Sequence, residues 1–186
     1  MVVSIADELS LSHTSKNRTA KAAEKTQLMF TALQKNINES NAIAAGATTT
    51  DGSNRPPILF GVAVGGAVPG ATAKSATWLL EAGAQALSVG GANMGETDEA
   101  FVQAMQEVRD ATREHSNAVP VLVEGCNTPL RLLLALENGA DLVSSDLPSR
   151  LTELGWAMHL DMVTPWGQQA GAAAAAIGAD DAEEVT

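Results

Sequence analysis

Short apolar runs alternate with longer segments of helical periodicity along most of this chain. Runs typical of buried strands, each followed by glycine or polar residues, lie at residues 2–5, 58–64, 86–89, 119–124 and 141–144. Apolar residues recur at helical spacing over residues 16–37, 72–82, 98–115 and 128–136, and a weaker sixth strand signal covers 157–160. Strands that alternate with amphipathic helices predict parallel βα units.

A (β/α)8 TIM-barrel type of α/β fold is the class that this alternation favours. No dinucleotide-binding fingerprint follows the first strand, so a doubly wound cofactor domain has little support. A complete barrel normally needs about 250 residues and eight βα units. The 186 residues of this chain hold only five to six such units. We therefore expect an incomplete barrel over residues 1–161.

Two segments fall outside the alternating pattern. Residues 38–57 are rich in Asn, Thr, Gly, Ala and Pro, which predicts a loop insertion within the barrel. Residues 162–186 contain an alanine-rich run and end in acidic residues. This composition is typical of a low-complexity, disordered acidic tail.

Composition and charge restrict the sites and partners to be expected. The formal net charge of −11 argues against an independent binder of DNA or RNA, because the phosphate backbone requires a positive face. The one cysteine, Cys126, excludes an internal disulfide and a zinc site made of several cysteines. No apolar run approaches the ~20 residues of a membrane span, and no signal-peptide pattern is present. We expect a cytoplasmic protein without a transmembrane segment.

Glycines and polar residues directly follow the predicted strands, at Asp7, Gly65-Gly66, Gly90-Gly91, Gly125 and Ser144 to Asp146. In a βα barrel the carboxyl ends of the strands form one rim, where functional sites are built. A single glycine pair is explained by a tight βα turn. Glycines at several strand ends favour a rim where a flat ligand ring approaches the backbone.

The run from Asn138 to Arg150 resembles the strand and catalytic loop of the tRNA-guanine transglycosylase family, which exchanges a guanine in tRNA for a queuine-type base. The family pattern is Gly-Val-Asp-Leu-Phe-Asp-Cys-Val-Leu-Pro-Thr-Arg, and its second Asp is the nucleophile. When Leu147, Pro148 and Arg150 are matched to this pattern, Ser144 stands at the nucleophile position. The resemblance also implies that Arg150 contacts tRNA.

Three further stretches are similar to family motifs in the same order. Residues 59–66 resemble Phe-Gly-Ile-Val-Gln-Gly-Gly, with Val64 in place of the glutamine that touches the base. Residues 88–96 resemble Gly-Gly-Leu-Ala-Val-Gly-Glu, and residues 121–129 resemble Leu-Met-Gly-Val-Gly-Thr-Pro. Ala6-Asp7-Glu8 matches a pair whose aspartate binds guanine. The resemblance therefore implies a base site formed by Asp7, Gly65, Gly66, Gly90 and Gly91.

Base exchange at a ribose C1′ needs an ionised carboxylate that captures an oxocarbenium-like centre. Ser144 carries no negative charge at neutral pH, so it is expected to be a structural remnant. Asp146 is the alternative nucleophile, because a strand continuing through it would place its carboxylate about 6–7 Å along the face of Ser144. Otherwise Asp146 is a loop residue that caps a turn. The sequence thus leaves open whether the chain is an enzyme.

The zinc motif of the family, Cys-x-Cys-x-x-Cys followed by His, is not found after Trp156, so neither a metal nor another cofactor is expected. Residues 151–158 resemble Val-Thr-Glu-Arg-Gly-Cys-Ala-Leu of the eukaryotic accessory type, which lacks the nucleophile. This resemblance implies a non-catalytic subunit that forms a heterodimer with a catalytic homologue and meets tRNA through that complex. The alternatives are an active transglycosylase using Asp146 and a degenerate barrel fragment with only an interaction role.

A group of basic residues stands apart from the acidic average. Lys16, Arg18, Lys21, Lys25 and Lys35 lie in a segment whose one acidic residue is Glu24. Such a helix face is usually only solvated. A contact with tRNA or with a partner protein is the second interpretation.

Overall fold

Five parallel strands and five helices form the part of the chain that the structure, a computed structural model, describes: residues 1–7, 9–45, 57–115 and 119–157. The strands are β1 (Val2–Val3), β2 (Leu59–Ala63), β3 (Ala86–Val89), β4 (Val121–Val123) and β5 (Leu142–Val143). The helices are α1 (Lys16–Ala45), α2 (Ala71–Glu81), α3 (Asp98–Glu114), α4 (Pro129–Glu137) and α5 (Leu147–Glu153).

The strands lie in the order β1-β2-β3-β4-β5, and every neighbouring pair is parallel. A helix connects each strand to the next, as the alternating sequence pattern predicts. The expected α/β fold, an open and curled half-barrel, is thereby confirmed. The chain divides into two units between Leu147 and Pro148. The sheet and helices α1 to α4 belong to the first unit.

Both faces of the three central strands, β2 to β4, are buried, which explains why these strands read as continuous apolar runs. On one face, Leu59, Leu87 and Val121 join the main core together with residues of the helices. On the other face, Phe60, Ala86 and Leu122 form a smaller cluster. The register pairs Val3 with Phe60 and Phe60 with Ala86, so these three members of the smaller cluster lie side by side on neighbouring strands.

Helices cover the outer face of the sheet through a few large side chains. Phe30 of α1 is fully buried and meets Trp78 of α2 edge to face, with ring centroids 6.2 Å apart. Phe101 and Met105 of α3 are also fully buried. Edge-to-face aromatic contact adds to the burial of apolar area, so these side chains fix α1 and α3 on the sheet.

Capping residues start two helices where the sequence predicts. The Thr97 hydroxyl accepts a hydrogen bond from the Ala100 amide at 3.3 Å, and α3 begins at the next residue, Asp98. The Thr128 hydroxyl accepts one from the Arg131 amide at 3.2 Å, and Pro129 occupies the first turn of α4. These contacts satisfy amide groups that have no partner inside the helix.

The expected loop insertion over residues 38–57 is wrong in its first part, because α1 continues to Ala45. Residues 42–45 read Ala-Ile-Ala-Ala, and no Gly or Pro interrupts the helix before Gly46. Strong helix formers therefore extend the helix past the polar residues that suggested a loop. Residues 46–56 lie outside the described part of the chain, as do most of the expected sixth strand (158–160) and the expected tail (162–186).

The sequence analysis did not predict α5. Its signals are present, since Ser145 accepts a hydrogen bond from the Leu147 amide at 3.1 Å and Pro148 stands in the first turn. Within the described residues, no helix is both long and apolar enough to cross a membrane.

An apolar stripe on α4 faces solvent. Leu130, Leu133 and Leu136 are 55%, 54% and 49% exposed, and Leu142 on the edge strand β5 is 44% exposed. In a closed barrel the following βα unit would lie against these residues.

Replacing Leu87 with Ala should lower the free energy of unfolding by about 3 kcal/mol, because this side chain is fully buried beneath the helices. Leu133→Ala is the matched control and should change it by less than about 0.5 kcal/mol. Chemical denaturation of both variants checks this contrast. A large loss for Leu133→Ala would mean that another surface covers α4.

Candidate functional site

The segment between β1 and α1 lies across the carboxyl ends of the neighbouring strands. The Leu11 amide donates a hydrogen bond to the carbonyl of Gly91 at 3.3 Å. The carbonyl of His13 accepts one from the Ala67 amide at 2.7 Å. Leu9 is 6% exposed and Leu11 is fully buried. The chain itself therefore covers the strand ends where a ligand rim was expected.

Gly66 and Gly91 permit this close approach. Both have positive φ angles, +56° and +76°, which residues with a Cβ rarely adopt. A Cβ on Gly66 would lie 2.7 Å from the carbonyl oxygen of His13, and one on Gly91 would overlap the carbonyl oxygen of Leu9. These two glycines accommodate the backbone of the β1–α1 segment. Their predicted contact with a base stays a prediction.

The other two glycines of the expected base site, Gly65 and Gly90, serve packing inside the fold. A Cβ on Gly65 would overlap the backbone of Thr72 at the start of α2. A Cβ on Gly90 would lie 2.9 Å from Cγ1 of both Val62 and Val64. Small residues are therefore needed at these strand ends whether or not a ligand binds there.

Asp7 does not directly follow the first strand, because β1 ends at Val3. Its Oδ1 atom accepts a hydrogen bond from Arg18 at 3.2 Å, and its Oδ2 atom lies 3.2 Å from Nη1 of Arg18 and 3.7 Å from Nζ of Lys25. Its amide donates to the Thr26 hydroxyl at 3.1 Å. The side chain is only 16% exposed. The predicted base-binding aspartate is thus held by three residues of α1, and base binding would require these contacts to change.

Ser144 and Asp146 are exposed and lie after the end of β5 at Val143. The Ser144 amide donates to the Val123 carbonyl at 2.8 Å, and its carbonyl accepts from the Cys126 amide at 3.0 Å. The Asp146 amide donates to the side-chain oxygen of Asn127 at 3.2 Å. The strand does not run on to Asp146, so the geometric premise of its nucleophilic role is not met.

Arg150 lies in α5, and its side chain is exposed. Its backbone carbonyl accepts a hydrogen bond from the Leu154 amide at 3.2 Å. Because Arg150 belongs to the second unit, its role in tRNA contact stays a prediction that rests on the family motif.

A buried ion pair that the sequence analysis missed joins the β3–α3 loop to α4. Glu96 has a fully buried side chain and lies 3.1 Å from Arg131. Its carboxylate accepts hydrogen bonds from the amides of Asn93 and Met94, each at 2.8 Å. Arg131 also donates to the Glu96 carbonyl at 2.7 Å. These contacts give the buried carboxylate the partners that such a charge requires.

The same network continues to β4. Asn93 has a positive φ of 62°, and its amide group donates to the Glu124 carbonyl at 2.7 Å and to the Cys126 sulfur at 3.6 Å. The guanidinium of Arg131 lies 4.8 Å from the ring centroid of Phe101. Burial raises the pKa of the Cys126 thiol, so Cys126 contributes to packing and is a poor nucleophile. The sequence signal for this loop conformation is the turn Asn-Met-Gly-Glu at 93–96, because Asn and Gly tolerate positive φ.

A polar cleft of about 450 Å³ lies at the opposite end of the helices. It is lined by Gln106, Arg109, Asp110, Arg113, Glu137, Asn138 and Gly139. These residues come from the carboxyl-terminal half of α3 and the end of α4, so the cleft is separate from the strand ends at which barrel enzymes place their sites.

Within residues 1–7, 9–45, 57–115 and 119–157, no group of three His, Cys, Asp or Glu side chains could hold a metal ion. The donors in that part of the chain do not fit the zinc site of the family. The expectation that the chain has no zinc site stays a prediction, because residues 158–186 lie outside the described part.

Gly91→Ala should destabilise the protein by about 3 kcal/mol or more, because the methyl group would overlap the Leu9 carbonyl in addition to the cost of positive φ. Gly70 is the matched control, since its φ is +73° and nothing lies within 4 Å of its Cβ position. Gly70→Ala should cost only about 1–2 kcal/mol. Equal losses in thermal or chemical unfolding would contradict the described position of the β1–α1 segment.

Glu96→Gln should lower the free energy of unfolding by about 3 kcal/mol, because it removes the buried carboxylate that faces Arg131 and leaves the largely buried arginine with Asp98 alone. Asp98 contacts the same arginine at 3.2 Å but is 49% exposed. Asp98→Asn should therefore cost about 1 kcal/mol or less. Denaturation curves of the two variants, compared with the unaltered protein, test whether Glu96 is the principal partner.

Comparison with known proteins agrees with this architecture. The family described as Queuine tRNA-ribosyltransferase matches residues 1–173. The chain is 26% identical over 117 residues to a protein of Chromobacterium violaceum, covering 63% of this chain and 29% of that protein. It is 30% identical over 100 residues to one of Nostoc sp., covering 54% of this chain and 26% of that protein. Both relatives are named queuine tRNA-ribosyltransferase.

The aligned region thus spans less than a third of the length of either relative. The family match nevertheless covers the whole sheet and every helix described above. This chain belongs to the queuine tRNA-ribosyltransferase family.

Proposed function

We propose that this chain is a non-catalytic accessory subunit of a queuine tRNA-ribosyltransferase and acts in the cytoplasm. It pairs with a catalytic homologue and supports the exchange of guanine for queuine in tRNA. The observation that carries the proposal is Ser144 at the position of the family nucleophile. A neutral hydroxyl does not replace the carboxylate that captures an oxocarbenium-like centre.

The surroundings of Ser144 support a structural role for it. Both of its backbone groups continue the pairing between β4 and β5, through Val123 and Cys126. Activation of a serine needs a base within hydrogen-bond reach. Among the described residues, no histidine or carboxylate accepts a hydrogen bond from the Ser144 hydroxyl. Ser144 therefore contributes backbone hydrogen bonds at the strand end and has no base in the described part of the chain to activate its hydroxyl. This arrangement fits a subunit that has the family fold and does not catalyse base exchange.

The base site supports the same proposal. The resemblance implies a base site at the strand ends, and here the backbone of Leu9 and His13 lies against Gly91 and Gly66. Asp7, at the position of the base-binding aspartate, is engaged by Arg18 and Lys25. A subunit with this arrangement contributes through its surface, so the reacting base would be held by the catalytic partner.

Incorporation of labelled guanine into tRNA tests the proposal. The chain alone should show no exchange, and the chain co-expressed with a catalytic homologue should elute with it and increase exchange. Exchange by this chain alone, with a covalent RNA adduct that survives denaturation, would instead identify an active transglycosylase. No exchange and no co-elution would leave a barrel fragment with only an interaction role.

Asp146→Asn separates the first two outcomes. In an accessory subunit this change should leave kcat of the complex within about threefold, because Asp146 lies in an exposed turn after β5. A loss of about 100-fold or more would be typical of a removed catalytic group. Ser144→Ala is the companion variant and should likewise leave kcat unchanged.

A further inference from the structure

We draw no further inference here: the strongest candidate, the exposed apolar face that Leu130, Leu133 and Leu136 of α4 form beside the edge strand β5, carries none because nothing among the described residues shows what covers it.

Discussion

The contact between the β1–α1 segment and the ends of β2 and β3 is the constraint on which the rest of this structure depends. The backbone of Leu9 and His13 lies so close to Gly91 and Gly66 that a methyl group at either glycine would collide with it. Leu11, which belongs to the same segment, is fully buried and adds apolar contact to this backbone packing. The direction in which α1 leaves the sheet, and so the position of its basic residues, follows from this contact.

A second constraint acts at the next strand ends. Glu96 and Arg131 form a buried pair in which the amides of Asn93 and Met94 donate to the Glu96 carboxylate and Arg131 donates to the Glu96 carbonyl. A buried pair of this kind adds little to stability by itself, but removing one partner is costly. It therefore specifies the conformation of the β3–α3 loop. The hydrogen bond from the Asn93 side chain to the Glu124 carbonyl fixes the position of this loop relative to the end of β4.

The order of strands and helices could be predicted from the sequence because it depends on local signals. Buried parallel strands such as residues 86–89 read as continuous apolar runs, and Thr97 and Thr128 mark helix starts by their capping chemistry. The end of α1 was predicted wrongly, because Asn38 and Ser40 are ordinary loop residues that a helix tolerates when alanines follow. Local composition does not determine where a long helix stops.

The candidate site was harder to predict because its contacts join residues far apart in sequence. Asp7 was correctly singled out as a charged residue near a strand end, but its partners on α1 depend on how the helix packs. The glycines showed where backbone approaches closely, yet glycine does not specify whether the approaching group is a ligand or the chain itself. The pairing of Glu96 with Arg131 spans two βα units, so only the folded structure reveals it.

Under the proposed accessory role, the covered strand ends and the ion pairs of Asp7 fit a subunit that does not bind the reacting base itself. A subunit with Ser144 at the position of the family nucleophile would not require an open base pocket, so its strand ends could be covered by the β1–α1 segment. Once no base has to reach Asp7, its carboxylate can neutralise part of the charge of Arg18 and Lys25 and hold them in place. The proposed role would thus relate Ser144, which follows the edge strand β5, to the contacts of Asp7, which follows the opposite edge strand β1.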